Sequence, residues 1–200
     1  FNRYESSNGV NMSVIVAIRK ENKIVMAADT LTTFGDSEVM PQENARTPKV
    51  GRIGDSLIGG AGWAVYDDIL NDFLATRPTP DLSSSRKIFT FFLEFWKALH
   101  EHYTFVNDQA TQACSPFGDL DSTFLIANAG GIFTVASDLG VTPLNRYYAI
   151  GSGGEYAIGV LYTLYERSDD ISELATDAVK AAIAMNLQCG GAVDVLQLTV

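Results

Sequence analysis

The strongest constraint on the fold is an apolar run near the start of the chain. Residues 14–18 read Val-Ile-Val-Ala-Ile without a polar side chain, which is typical of a strand covered on both faces. A turn at residues 21–23 leads to a second apolar run at residues 24–29, which ends on Asp29. The sequence therefore predicts two consecutive strands here, of which the first lies in the interior.

The rest of the chain alternates between groups of strands and pairs of helices. Further strands are predicted at residues 49–53, 56–60, 122–128, 132–137, 147–150 and 192–200. Four helices are predicted, at residues 64–77, 83–99, 155–166 and 174–187. The second has its N-cap within residues 83–85, and the fourth follows a cap at residues 172–173. Loops are predicted at residues 34–46 and 105–121. The order ββββ, αα, βββ, αα, β favours α+β layers over a doubly wound parallel sheet.

Composition excludes several classes of protein. The chain has 14 Lys and Arg against 24 Asp and Glu, a net charge of −10, so we expect no nucleic acid or membrane as partner, since phosphate contacts need clustered cations. No apolar run reaches the roughly 20 residues that span a bilayer, and residues 1–12 lack the apolar centre of a secretory signal. Cys114 and Cys189 have no metal-ligand spacing, and a disulfide is disfavoured in the cytoplasm, where we expect the protein to work.

Five short segments, each weak alone, occur in an informative order. They are the run that begins at Ser13, the strand that ends at Asp29, Pro48-Lys49-Val50, Gly59-Gly60-Ala61-Gly62, and Ala149-Ile150-Gly151-Ser152-Gly153-Gly154. Together they resemble the proteasome β subunits and, more closely, the HslV peptidase family, over residues 13–200. The resemblance implies a four-layer αββα sandwich of the N-terminal-nucleophile hydrolase type. Residues 1–12 would be a propeptide or an extension left from expression.

The resemblance also implies a nucleophile and its neighbours. The family's nucleophilic Thr opens its first strand sixteen residues before an Asp, and the same count back from Asp29 reaches Ser13. The family's active-site Lys matches Lys49, whose charge would lower the pKa values of the Ser13 hydroxyl and α-amine, while Asp29 would keep that lysine ionised and oriented. The backbone N–H of Gly60 is the candidate oxyanion donor, since glycine permits close approach.

Three supporting positions follow from the same resemblance. The family's Ser in its Gly-Ser-Gly turn matches Ser152, and its Asp-x-x-Ser pair matches Asn186 and Cys189, where this chain departs from the pattern. Ser13 departs too, because Ser in place of Thr loses the methyl group that helps to fix χ1. Because of these departures, a second interpretation stays open, in which the chain is a proteasome-like structural subunit that has lost catalytic activity.

The state of the amino terminus decides activity under this hypothesis. An N-terminal hydroxyl residue is both nucleophile and base, because its hydroxyl attacks and its free α-amine accepts the proton. While Met12 is attached, Ser13 has an amide nitrogen, and the chain would be inactive by this mechanism. Either autolysis of a propeptide or removal of a native initiator Met12 would expose Ser13.

Each site residue also has an ordinary structural interpretation. Ser13 could simply follow an initiator methionine, Asp29 could cap a turn, and Lys49 could be a solvated surface residue. Ser152 could cap the next helix, a role compatible with catalytic support, and Cys189 could fill a small buried space.

The resemblance further implies a homo-oligomeric ring that acts on unfolded protein or peptides without a metal or organic cofactor. The sequence contains no G-x-x-x-x-G-K-[ST] motif, so energy for unfolding would have to come from a separate ATPase. A different N-terminal-nucleophile reaction, such as hydrolysis of a small amide, also stays open.

Overall fold

The computed structural model describes residues 13–34, 37–38, 48–103 and 120–200. Its strands are β1 (Ile15–Lys20), β2 (Lys23–Asp29), β3 (Thr33–Phe34), β4 (Ser37–Glu38), β5 (Val50–Ile53), β6 (Ser56–Gly62), β7 (Ser122–Asn128), β8 (Gly131–Val135), β9 (Val141–Leu144), β10 (Tyr147–Ile150) and β11 (Val193–Thr199). Its helices are α1 (Val65–Ala75), α2 (Ser85–His102), α3 (Gly154–Leu164) and α4 (Ile171–Met185). Among these described residues, no helix has the length and apolar character needed to cross a membrane.

The two strands predicted first lie at the centre of a four-stranded antiparallel sheet with the order β10-β1-β2-β11. Val16 lies opposite Ala27 in β2 and opposite Ala149 in β10. Its side chain packs with residues of α3 and α4, whereas that of Ile15 faces the layer between the two sheets. Burial of both faces explains why this run contains no polar side chain.

A second antiparallel sheet has the order β5-β6-β7-β8-β9. Leu57 and Leu125 lie in the layer between the sheets. The opposite face packs on α1 and α2, where the rings of Phe92 and Phe124 have centroids 4.8 Å apart. The layers therefore run helices, sheet, sheet, helices, and the predicted α+β sandwich of αββα type is confirmed.

Two parts of the strand assignment from sequence are wrong. No strand is predicted from sequence at β9, which contains Pro143; β9 is the edge strand of its sheet, where proline is tolerated. β3 and β4 pair within the predicted loop at 34–46 and start one residue before it. The loop predicted at 105–121 lies outside the described residues apart from positions 120 and 121, and the extension at 1–12 lies wholly outside them.

The helix caps also differ from the prediction. Asp170, not the Ser172-Glu173 pair, caps α4, because its carboxylate accepts the N–H groups of Ser172 at 2.8 Å and Glu173 at 3.2 Å. The helix ends at Met185, two residues before the predicted end. Ser84 is the N-cap residue of α2, within the predicted range, but its side chain makes no capping hydrogen bond.

Candidate active site

Ser13 lies directly before β1 and is buried, with 4% of its surface exposed. Its carbonyl accepts the N–H of Gly153 at 3.1 Å, and its own N–H donates to Ser152 Oγ at 3.5 Å. Gly151 has a φ of +87°, and a Cβ atom there would lie 2.2 Å from the Ser13 carbonyl oxygen. Only glycine fits this position, so the Gly-Ser-Gly turn is built around the start of β1.

The Asp29 carboxylate connects three parts of the chain from the end of β2. Its Oδ1 accepts the N–H of Val14 at 3.0 Å and the Lys49 ammonium at 2.9 Å. Its Oδ2 accepts the N–H of Gly190 at 3.1 Å. The residue is 1% exposed, and a buried carboxylate needs such partners. Asp29 therefore joins Lys49 to the residue that follows Ser13, rather than capping its own turn.

Lys49 reaches Asp29 from the residue just before β5. Its side chain is 17% exposed, so the ammonium is largely shielded from solvent and the interpretation as a solvated surface lysine is wrong. The pairing fits the fold, because the layer between the sheets brings β2 and β5 face to face. A positive charge is thus held close to the start of β1.

A second group of side chains lies around Ser152, whose Oγ accepts the Ser13 N–H. The Ser152 hydroxyl is 3.9 Å from the Cys189 sulfur, and Asn186 Nδ2 donates to the Ser152 carbonyl at 2.7 Å. Asn186 is the C-cap residue of α4, and its Oδ1 accepts the N–H of Gln188 at 2.8 Å. Asn186 and Cys189, which stand where the family has its Asp-x-x-Ser pair, therefore both contact Ser152.

The Cys189 thiol is buried, and its burial raises its pKa. The nearby negative charge of Asp29 raises this pKa further, while the Ser152 hydroxyl, the Lys49 charge and the Gly153 N–H act in the opposite direction. A Cβ atom on Gly153 would lie 2.7 Å from the sulfur, so the thiol also fills the space beside the turn. Both observations fit a neutral thiol packed against Ser152.

Ser152 and Gly60 occupy positions that differ from their interpretation by sequence or leave it untested. Ser152 is not the cap of α3, since the N-cap residue is Gly153 and no side chain makes a capping bond there. Gly60 lies within β6, opposite Phe124 of β7, and a Cβ atom on it would meet the Phe124 ring at 3.0 Å. This packing explains the glycine, and the oxyanion role stays a prediction.

The structure thus gathers Ser13, Asp29, Lys49, Ser152, Asn186 and Cys189 around the start of β1, and their roles in catalysis stay predictions. Sequence reasoning missed Gly190, whose N–H binds Asp29. It acts through the main chain, so its side chain carries no chemical signal. Within the described ranges no group of three His, Cys, Asp or Glu side chains could hold a metal ion.

Comparison with known proteins identifies the family. No family model matches the chain. The ATP-dependent protease subunit HslV of Caldicellulosiruptor saccharolyticus is 24% identical over 188 residues, which cover 93% of this chain and 98% of that protein. Proteasome subunit beta 1 of Pyrobaculum calidifontis is 37% identical over 76 residues, 36% of this chain and 38% of that protein.

A solved structure gives the stronger evidence. Thiobacillus denitrificans BPH is 31% identical, with a TM-score of 0.85 over 93% of this chain and 97% of that one. BPH has also been solved in complex with epoxomicin, with a TM-score of 0.83. The sandwich and the site at the start of β1 define an N-terminal-nucleophile hydrolase fold. The chain belongs to the HslV-like proteasome β-subunit family of peptidases.

Proposed function

We propose that this chain, once residues 1–12 are removed, is a peptidase subunit that hydrolyses peptide bonds through the Ser13 hydroxyl. The observation that carries the proposal is the environment of Asp29. Its carboxylate accepts both the Lys49 ammonium at 2.9 Å and the N–H of Val14 at 3.0 Å. The buried Asp29 carboxylate therefore links the Lys49 cation to Val14, the residue that directly follows the proposed nucleophile Ser13.

The proposed reaction starts when the free α-amine of Ser13 accepts the hydroxyl proton and Oγ attacks the substrate carbonyl. An α-amine has an unperturbed pKa of about 7.7–8.0, and the nearby positive charge of Lys49 favours its neutral form. The protonated amine then gives its proton to the leaving nitrogen, and an ester remains on Ser13 Oγ. Water hydrolyses this ester with the amine again as base.

The neighbouring groups would orient this reaction. Ser152 Oγ, 3.5 Å from the Ser13 nitrogen, would accept a hydrogen bond from the free amine and hold its lone pair toward the hydroxyl. Asn186 would hold the Ser152 main chain through its 2.7 Å bond to the carbonyl. The N–H of Gly60 is the proposed donor to the developing oxyanion.

The comparisons support the wider proposal. The HslV relatives are named as subunits of an ATP-dependent protease, and we propose that this chain likewise forms a homo-oligomeric ring. Its substrates would be unfolded proteins or peptides, delivered by a separate ATPase. Work in the cytoplasm without a metal or organic cofactor is part of the same proposal.

The decisive experiment compares three forms of the protein: one beginning at Ser13, its Ser13→Ala variant, and the full 200-residue chain. Each is tested for hydrolysis of fluorogenic peptides and, by intact-mass spectrometry, for a covalent adduct with epoxomicin. We expect hydrolysis and one adduct at Ser13 in the first form alone. The full chain should show hydrolysis and the adduct only in samples in which mass spectrometry shows that residues 1–12 have been lost. A form beginning at Ser13 that shows neither property favours a structural subunit without catalysis.

A further inference from the structure

Beside Ser152, a groove of about 460 Å³ opens at the edge of the sandwich. Residues 148–152 form one wall, and Thr123, Thr134 and Ala136 form the other. Thr134 lies opposite Leu125, whose side chain belongs to the layer between the sheets. Since cross-strand partners share a face, the groove is the open end of that layer, at the point where the four-stranded sheet ends with β10.

The shape of the groove suits an extended peptide. Successive side chains of a strand point to opposite faces, so a groove lined by five consecutive residues runs along the backbone edge of β10. β10 pairs with β1 on one side, and no described strand pairs with its other side. Such an edge offers N–H and C=O groups to which a peptide can add as a further strand.

The position of the groove indicates which part of a substrate enters it. The groove begins at Ser152, whose Oγ is 3.5 Å from the Ser13 nitrogen. In the reaction proposed above, this nitrogen protonates the leaving amine of the substrate. The segment that follows the scissile bond must therefore depart on this side of Ser13.

Among the described residues that line the groove, none has a charged side chain, and four carry a hydroxyl group: Thr123, Thr134, Tyr148 and Ser152. A charged side chain that lost water there would find no counter-ion. We propose, on the basis of the function proposed above, that this groove binds the substrate segment after the scissile bond in extended form and selects uncharged residues there.

The test uses protein that begins at Ser13 and peptides that differ only after the scissile bond. With alanine in the first two positions after the bond, kcat/KM should exceed that for aspartate or lysine by about tenfold. Ala136→Phe, which fills the groove from a half-exposed position, should lower kcat/KM for the alanine peptide by about tenfold or more, mainly through KM. A peptide methyl ester has no residue after the reacting carbonyl, so Ala136→Phe should change kcat/KM for this ester by less than about threefold.

Two further variants make the test specific. Ala75→Phe makes the same substitution at an exposed position of α1, outside the groove, and should leave kcat/KM unchanged for the peptides and for the ester. Thr134→Lys places a cation in the groove and should turn the aspartate peptide into the best substrate.

The outcomes separate the two proposals. If the wild-type protein hydrolyses neither peptide nor ester, the proposed function is wrong and this inference falls with it. If the wild-type protein is active but Ala136→Phe affects peptide and ester equally, or Thr134→Lys leaves the preference unchanged, only the groove assignment is overturned. A change in oligomeric state caused by Ala136→Phe, with cleavage unaltered, would assign the groove to contact between copies and would also overturn it.

Discussion

Two groups of residues near Ser13 differ in charge. In the first, which we call the charged side, the buried Asp29 carboxylate pairs with the Lys49 ammonium. In the second, the neutral side, Ser152 contacts the Asn186 amide and the Cys189 thiol, and burial raises the pKa of that thiol so that it stays neutral at ordinary pH. We infer that the charged side sets the chemistry of the nucleophile, whereas the neutral side positions it.

Burial makes this ion pair different from pairs on the surface. Asp81 and Lys87 also form an ion pair, but both side chains are at least half exposed, so water screens their interaction. The Asp29 carboxylate has no solvent contact to replace a lost partner. Substitutions in the buried pair should therefore have large effects, and substitutions on the neutral side should have graded ones.

The largest effect is expected for Lys49→Met. Loss of the cation should lower kcat/KM for peptide hydrolysis by about 10³-fold, and the unpaired Asp29 carboxylate should lower the free energy of unfolding by about 3 kcal/mol. Urea unfolding and fluorogenic assays of protein beginning at Ser13 measure the two quantities. Lys87→Met is the matched control, with a stability change below about 1 kcal/mol. Equal losses in the two variants would contradict the special role of the buried pair.

Asp29→Asn should have the next largest effect. An amide has one acceptor oxygen where the carboxylate has two, so its NH₂ group must face either Gly190 N–H or the Val14 and Lys49 donors. We expect a loss of about 2–3 kcal/mol in the free energy of unfolding and of about 10²-fold in kcat. The same urea and turnover measurements apply, with Asp81→Asn as control. Wild-type stability in Asp29→Asn would show that its three hydrogen bonds contribute little.

On the neutral side, Asn186→Asp should move the pH profile. An added carboxylate near the Ser13 amine stabilises the ammonium form and so raises the amine pKa. The acid limb of kcat/KM should therefore shift to higher pH by about half a unit to one unit. Asn186→Ala, which removes the bond to Ser152 without adding charge, should lower kcat about tenfold and leave the limb in place. An unmoved limb in Asn186→Asp would show that position 186 does not influence the amine electrostatically.

The sequence predicts the charged side well because its residues sit on strongly patterned elements. Asp29 ends an apolar strand and Lys49 directly precedes another, so strand register and resemblance assign both. The layers of the sandwich follow for the same reason, since continuous apolar runs mark strands that are covered on both faces. Of the two sides of the site, this one depends least on loop geometry.

The remaining contacts could not be predicted because they depend on main-chain geometry. Gly190 binds Asp29 through its N–H, and Gly153 binds the Ser13 carbonyl in the same way. Loop conformation decides these two contacts, and residue type alone does not encode it. The cap of α4 differs, because Asp170 and Glu173 have the Asp-x-x-Glu spacing that signals a helix start in the sequence itself.

The smallest effect is expected for Cys189→Ser. In the wild-type protein the Cys189 sulfur lies 3.9 Å from Ser152 Oγ. A hydroxyl in place of this thiol keeps a neutral group beside Ser152, so kcat should change by less than about threefold. The raised pKa of the thiol lies above its usual 9.0, so thiol and hydroxyl are both uncharged between pH 6 and 8.5. The two pH profiles of kcat/KM should therefore superimpose over this range. An acid limb that shifts in Cys189→Ser would mean that a thiolate acts on the Ser13 amine, and the contrast between a charged and a neutral side would fail.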